Sequence, residues 1–571
     1  MKHLRSIVLP KKLFFIVAPI AFICSSSMGF TNKTFYCPRS QGTTTVRDEV
    51  GWESLINRPA TDNFYTAFAI TPAYTRSFRP QEFVDFLLGC PTATISGSQV
   101  ADRGELDILG DYFGLAPDFK SVLCFEPRIT DFVLDLSFYF GLDQVLNGLY
   151  VRLNAPITQT TWNLNMQEFI KNQGVGSYPA GYLSNDDIAN KNLTQSATDY
   201  FNGKAIFGDM KEPLRYGKIF QRHTESRIAE LRGVFGYNWT SDWYHAGFNA
   251  RVAAPTGTRP EAEFLFEAIA GNGKHWEVGG GLTTHVKIWQ NCDQSSDLAL
   301  YGEANIVHLC AAGQKRSFDF LHNGFGSRYM LVQEMSSPSH NLFAGGAPAS
   351  GEYRGFLAPA VNYTTLDLKT SFGVQADIDV RLSCRRQGLS LDFGYNFYGR
   401  SAEHMIDRCI LQSNLYALKG DAQLYGFDSI NESPVALNAT QHNATLHAGQ
   451  GAGNSTFANL NADFPANAFD VSGPLFQLTT ADAAALGIAQ VTVKTSDPSV
   501  LLQDCDLDVC SALLPSTVSH ALFFHIGHVW KVEDATLNPF LGFGSNVEWA
   551  QGHAPSTYSQ WGIWAKGGVA F

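Results

Sequence analysis

A two-residue alternation running through Thr365–Arg400 restricts the fold more than any other stretch. From Leu366 to Leu382 the even positions read Leu366, Leu368, Thr370, Phe372, Val374, Ala376, Ile378, Val380 and Leu382. The odd positions read Asp367, Lys369, Ser371, Gly373, Gln375, Asp377, Asp379 and Arg381. After Cys384-Arg385-Arg386-Gln387-Gly388 the pattern resumes, with Leu389, Leu391, Phe393, Tyr395 and Phe397 set against Ser390, Asp392, Gly394, Asn396, Tyr398 and Arg400. Successive strand side chains point to opposite faces, so each half has one apolar and one polar face, and the turn makes the pair an antiparallel hairpin. The polar face carries both signs of charge and must meet water. The apolar face needs either the core of a sandwich or lipid around a barrel.

The same ribbon recurs. Phe132–Phe140 and Leu149–Ile157 flank a turn near Asp143–Gly148, and Leu231–Tyr237 and Tyr244–Ala254 flank Asn238–Asp242. Glu261–Ala270 and His275–Trp289 read as a pair about Gly271-Asn272-Gly273-Lys274, a strong hairpin signal. Leu298–Leu309 and Lys315–Met335 form another pair, and Val518–Trp530, Leu537–Trp549 and Tyr558–Phe571 close the chain. Only 16% of residues are charged, against 51 Gly, 42 Phe and 21 Tyr, which suits β structure with little helix. About fourteen strands result, with a range of 12–16. The turns near Asp143, Trp239, Gly271, Gly313, Gln387 and Glu533 are all short. The long connections Thr75–Pro127, Asn165–Ser226, Ser336–Leu357 and Glu403–Ser516 all fall on the other side, with short ones near Thr258, Asp293 and Ala554. A sandwich has no reason to sort its loops this way. Membrane barrels do, with short periplasmic turns and long external loops. No later run of about 18 apolar residues offers a membrane helix, so the expected fold is all-β: a closed antiparallel transmembrane β-barrel.

The N-terminus reads as an export signal. Lys2, Arg5, Lys11 and Lys12 precede the apolar run Leu13–Cys24, and Ser27-Met28-Gly29 supplies small residues for cleavage after Gly29. The expected organisation is a signal peptide over 1–29, a periplasmic segment or plug over 30–60 without periodicity, and the barrel over 61–571 with a large external insertion over 403–516. Removing the leader takes away four positive charges and leaves a chain that was already at −12 still more acidic. That balance, with no basic stripe, argues against nucleic acid as a partner.

The last strand reads Trp561-Gly562-Ile563-Trp564-Ala565-Lys566-Gly567-Gly568-Val569-Ala570-Phe571, with Trp561, Ile563, Ala565, Val569 and Phe571 on one face. Here the chain resembles Gram-negative bacterial outer-membrane β-barrel proteins of the porin-like class, whose closing strand ends in an aromatic residue. The resemblance implies that Val569 and Phe571 are read by the barrel-assembly machinery and that the strands sit in outer-membrane lipid. The glycine usual upstream is displaced, since Lys566 stands there and Gly567 follows.

With lipid on the apolar face, the polar set turns inward. The lumen-facing candidates are Arg152, Arg232, Arg251, Asp367, Lys369, Asp377, Asp379, Arg381, Asp392 and Arg400. Eight strands fill their own interior and sixteen leave a channel, so about fourteen predicts a narrow or partly plugged hydrated lumen. Charges around such a lumen set ion preference. The first expectation is a porin-like channel for passive diffusion of small polar solutes, mildly favouring cations. The alternative is a surface adhesion or interaction protein acting through its long loops, above all 403–516. No nucleophile–base pair or paired-carboxylate constellation points to an enzyme. No CxxC or HExxH points to a metal, and no cofactor is implied. Of ten cysteines, nine follow the leader; Cys90 with Cys124 and Cys505 with Cys510 are the candidate disulfides. A homo-oligomer, common among porins, stays open.

Overall fold

The computed structural model describes residues 32–57, 64–178, 182–184, 186–219, 222–293, 295–335, 353–420, 425–427, 434–436, 444–447, 501–530, 537–552 and 554–571. The expected signal peptide lies outside them, as does much of the 403–516 insertion.

Twelve strands make one closed antiparallel ring: β1 Tyr65–Ser77, β2 Arg128–Gly141, β3 Leu149–Asn163, β4 Leu231–Thr240, β5 Tyr244–Ala254, β6 Glu277–Gln290, β7 Ser296–Ser317, β8 Thr365–Arg386, β9 Leu389–Arg400, β10 Thr517–Val529, β11 Asn538–Gln551 and β12 Gln560–Ala570. Each pairs with its neighbours in sequence, and β1 pairs with β12 to close the ring. Two short strands, Arg222–Ile228 on β3 and Glu403–Arg408 on β8, add to the sheet outside the ring. No described helix is long and apolar enough to cross a membrane. Closure supplies every ring strand with two partners, the condition for a sheet in lipid.

Burial is inverted relative to a water-soluble core. On β9, Phe393 is 58% exposed while its neighbour Asp392 is 0% exposed. Phe138, Leu153, Phe235, Phe248, Leu282, Leu522, Phe524, Phe543 and Ile563 share the exposed outer face, and Arg152, Arg232, Asp377, Asp379, Arg381 and Lys566 the buried inner one. An apolar surface this continuous needs lipid against it. Trp239, Trp243, Tyr244, Trp289 and Trp530 are exposed around the short-turn end, where indole and phenol rings suit a headgroup boundary. This is the architecture of a Gram-negative outer-membrane barrel.

The loop asymmetry is present. Connections 142–148, 241–243, 291–295, 387–388 and 530–537 share one end, and 78–127, 164–230, 255–276, 318–364, 401–516 and 552–559 the other. Two expected elements are corrected. Glu261–Ala270 is not a strand, because residues 255–276 fold over the rim as a loop. Gly313 is not a turn, because β7 runs unbroken from Ser296 to Ser317. The segment near Asp293, expected as a short connection on the long-loop side, is therefore a short turn at the opposite end.

The long loops build a cap over the wide-loop end. It includes a four-stranded sheet of Thr92–Ser96, Ile108–Leu109, Lys120–Cys124 and Gln167–Asn172, and a three-stranded sheet of Leu331–Met335, Tyr353–Pro359 and Tyr416–Leu418. Its core is aromatic and continuous, with Phe83, Phe86, Phe113, Phe119, Trp162, Phe201 and Phe266 buried together.

Candidate functional site: a charged lumen closed by the N-terminal segment

Residues 32–57 thread the barrel. At the cap end, the amides of Lys33 and Thr34 donate to the carbonyls of Phe86 and Ser511 at 2.7 and 3.0 Å. The Tyr36 ring sits among Phe83, Phe86, Trp162 and Phe266, with ring centroids 5.1–6.2 Å away. At the short-turn end, the Asn57 side-chain carbonyl accepts from Tyr139 at 3.1 Å and from Asn238 at 2.8 Å. Between these anchors lies one turn of helix, α1 Thr45–Glu49, with all five residues buried.

Five residues are too few to hold a helix on their own, and the wall holds this one. The Thr45 amide donates to Asp377 Oδ2 on β8 at 3.0 Å, and Asn305 of β7 donates to the Thr45 hydroxyl at 3.1 Å. Across the lumen on β2, Asp135 accepts from Arg47 Nε at 3.1 Å. Asp48 pairs with Arg232 on β4 and Glu49 with Arg152 on β3. Lys566 of β12 donates to the Asp48 carbonyl at 3.3 Å, and Arg39 pairs with Glu548 of β11 at 2.8 Å. Strands β2 and β8 are six apart in a ring of twelve, so α1 bridges the full diameter. Gly51 follows with φ +94°, and a Cβ there would stand 2.8 Å from the His525 ring. That ring donates or accepts at Asp392, 3.1 Å away.

Little room is left around the segment. A cavity of about 40 Å³ lies beside Arg39, Ser40, Arg47, Asp131 and Trp564. One of about 20 Å³ lies beside Asp48, Arg232, Arg251, Glu277 and Asp377, and one of about 10 Å³ beside Glu53, His245 and Arg381. A water needs on the order of 10–15 Å³ on this measure, so the first space has room for about three waters, the second for one or two and the third for at most one.

The candidate lumen residues divide. Arg152, Arg232, Arg251, Asp377, Asp379, Arg381, Asp392 and Arg400 are buried inside. Arg381 pairs with Asp379 at 2.9 Å, and Arg400 donates to the Cys37 carbonyl at 3.0 Å. Asp367 and Lys369 point the other way and are corrected. Bulges around Val307–Ala312 of β7 and the matching Phe372–Gln375 of β8 flip the alternation, so above them Leu368, Thr370 and Phe372 turn inward. Asp367 instead meets Arg259 at the surface, 2.9 Å away. Val569 pairs with Phe68 on the outer face, and the Phe571 amide donates to the Thr66 carbonyl at 2.8 Å, so the closing strand is zipped to its last residue.

The described cysteines are free thiols, among them Cys90, Cys124, Cys505 and Cys510, which corrects both expected disulfides. Cys90 donates to the Thr92 carbonyl at 2.9 Å, in the turn beyond the strand whose Thr92 faces Cys124. Cys505 and Cys510 occupy separate 3-10 turns on either side of Leu507–Asp508, which pairs with Asp319–Phe320. No cluster of metal-ligating side chains is present among the described residues.

The sequence pattern gave no role to Arg47-Asp48-Glu49. The available signal was a run of three charges in a segment without periodicity, directly ahead of the first strand.

No protein-family model matches this chain, and no curated protein matches it. Solved structures similar to it include an outer-membrane channel from Pseudomonas putida F1, at 9% identity over 88% of this chain and 95% of that one, with a TM-score of 0.28. A Pseudomonas aeruginosa FadL homologue aligns at 6% identity over 94% and 99%, with a TM-score of 0.26. A TodX deltaS2S3 mutant, a monoaromatic hydrocarbon channel, aligns at 8% identity over 90% and 93%, with a TM-score of 0.27.

Proposed function

We propose that this chain is an outer-membrane transport channel for small polar solutes, closed at rest by its own N-terminal segment. One observation carries the reading: a polar, charged lumen is filled by a segment whose middle, from Arg39 to Glu49, is tied to the wall chiefly by ion pairs and hydrogen bonds, between apolar anchors at Phe35 and Tyr36 and at Trp52, Leu55 and Ile56. A twelve-stranded ring with strands about 4.8 Å apart and tilted by roughly 40° has a backbone radius of about 12 Å. Side chains alone do not fill that width, and the threaded segment does. Water can take over the polar contacts of this middle once it enters, while the apolar anchors at either end keep the segment attached. A permanently open diffusion pore is therefore a poorer reading than a gated one. Export by the N-terminal leader, insertion through Val569 and Phe571, and the absence of a catalytic role belong to the same reading.

The test is current through planar bilayers. The full chain is expected to stay mostly silent. A variant lacking residues 32–57, still behind its export leader, is expected to pass steady stepwise current. If the shortened barrel shifts its gel mobility on heating, and so is folded, yet carries no current, the channel reading fails. The surface-interaction reading, favoured by the built cap, would then stand in its place.

A further inference from the structure

We infer that Arg152, Arg232 and Arg251 form a binding site for small carboxylate solutes, and that Asp48 and Glu49 occupy it as built-in stand-ins. The inference rests on the channel reading and names its substrate class.

The three arginines lie on adjacent strands and share the inner face. Arg152 and Arg251 both stand opposite Val234, one on each side, and Arg232 lies two residues along the same strand. Strand spacing puts the outer two backbones roughly 10 Å apart, with the third about 7 Å along β4. Their partners differ in origin. Glu49, from the threaded segment, is the close partner of Arg152; the wall's Glu303 is 3.9 Å away. Asp48, also from the segment, pairs with Arg232, which keeps Glu230 at 2.6 Å. Arg251 has no carboxylate within 4 Å among the described residues, and it lines the small cavity beside Asp48.

Withdrawal of the segment therefore takes two carboxylates from this wall; Glu230, Glu277 and Glu303 stay, leaving Arg152 with only Glu303, at 3.9 Å, and Arg251 with no carboxylate within 4 Å among the described residues. An arginine fork meets a carboxylate in two parallel hydrogen bonds, stronger than those it makes to water. Asp135, which loses Arg47 when the segment leaves, stands on the neighbouring strand four residues from Tyr139, the residue facing Arg152, roughly 13 Å along the strand. Glu548, released by Arg39, lies elsewhere around the ring, and Asp377, released by Thr45, lines the same small cavity as Arg232 and Arg251. A carboxylate solute arriving at the patch competes with Asp48 and Glu49 for the same forks, so binding and opening are one event.

The experiment uses the full chain carrying Asp48→Asn and Glu49→Gln, with succinate as the probe. Expected are channel openings without deletion of the segment, a reversal potential in a KCl gradient that favours chloride, and block of the current by succinate. Arg251→Gln added to that variant should weaken the block about tenfold, the usual cost of one charge-assisted hydrogen bond. Titration of succinate in detergent checks the same loss without current. Openings that favour potassium, or a block and a titration indifferent to Arg251→Gln, overturn this inference and leave the channel reading intact. Silence from this variant and from the barrel lacking residues 32–57, both folded by heat-shifted mobility, overturns both.

Discussion

Arg316 and Glu403 form a fully buried pair where the barrel meets the cap. Two guanidinium nitrogens reach the two carboxylate oxygens at 2.6 Å each, and the guanidinium lies 3.8 Å from the centre of the Phe35 ring. Burial alone would raise the Glu403 carboxyl, yet Arg316 and the Leu514 amide hold it below the usual range. A depressed carboxyl stabilises above its unfolded pKa and loses that stabilisation as acid protonates it. Arg316→Met leaves Glu403 buried without a counter-charge and is expected to cost about 3–5 kcal/mol. The measurement is the temperature at which the folded gel band shifts; Arg316→Met with Glu403→Leu should recover most of the drop. Glu267, in loop 255–276, behaves oppositely. Burial pushes its carboxyl up to about 7, against the pull of the Glu261 and Ala262 amides. The folded loop holds a proton that the unfolded chain releases near pH 4.5, so stability falls as pH rises between those values and the loss is complete above about 7. Glu267→Gln should therefore protect this loop at pH 8 by up to roughly 3 kcal/mol. Amide exchange of residues 255–276 at pH 5 and pH 8 checks it, and an equal effect at both would rule the account out. Single residues were also where the sequence misled. Asp367 and Lys369 obey the alternation perfectly and still face outward, because a bulge carries no mark in a pattern of polar and apolar letters.

Hairpins were the legible elements. Alternation located most of the ring strands, and Gln387-Gly388 marked a tight turn. The turn has φ of 48° and 87° at its two residues, between the paired Arg386 and Leu389, the geometry of a type I′ turn. Glycine accepts that conformation freely and Gln does not. Gln387→Asn is expected to stabilise the hairpin by about 0.5–1 kcal/mol, since Asn tolerates the left-handed region. Denaturant titration of the refolded barrel in lipid would read it; a loss of stability would mean that Gln387 makes a contact worth more than its strain. The loop parity held for an instructive reason. Counting Glu261–Ala270 as a strand added one crossing, and breaking β7 at Gly313 added another, so the two errors cancelled; the connections outside that interval kept their sides, while Gly271 and Asp293 within it changed ends. The first arose because apolar loop residues such as Leu265, Phe266 and Ile269 pack into the cap core and mimic a strand's composition. The second arose because a 22-residue strand exceeds what a bilayer needs, which invited a turn in its middle.

At the scale of the molecule, ring and cap depend on the threaded segment to different degrees. The ring is held by hydrogen bonds between strands adjacent in sequence and, at its closure, between the first and last strands, and none of those bonds involves residues 32–57. The lumen charges that the segment satisfies can be satisfied by water once it leaves, because an open barrel is wet. The cap has no such substitute. Phe35 and Tyr36 are buried within its aromatic core, and water cannot replace a ring packed against four others. Tyr36→Ala should therefore loosen the cap by about 3–5 kcal/mol, the usual loss for a large buried aromatic, while leaving the ring in place. Limited proteolysis of the variant in lipid vesicles separates the two. Cleavage within 78–127 and 164–230 should accelerate, the strands should stay protected, and the gel band should still shift on heating. Equal protection of those loops in both proteins would mean that the cap folds on its own, and that the segment contributes closure of the lumen and nothing to the architecture above it.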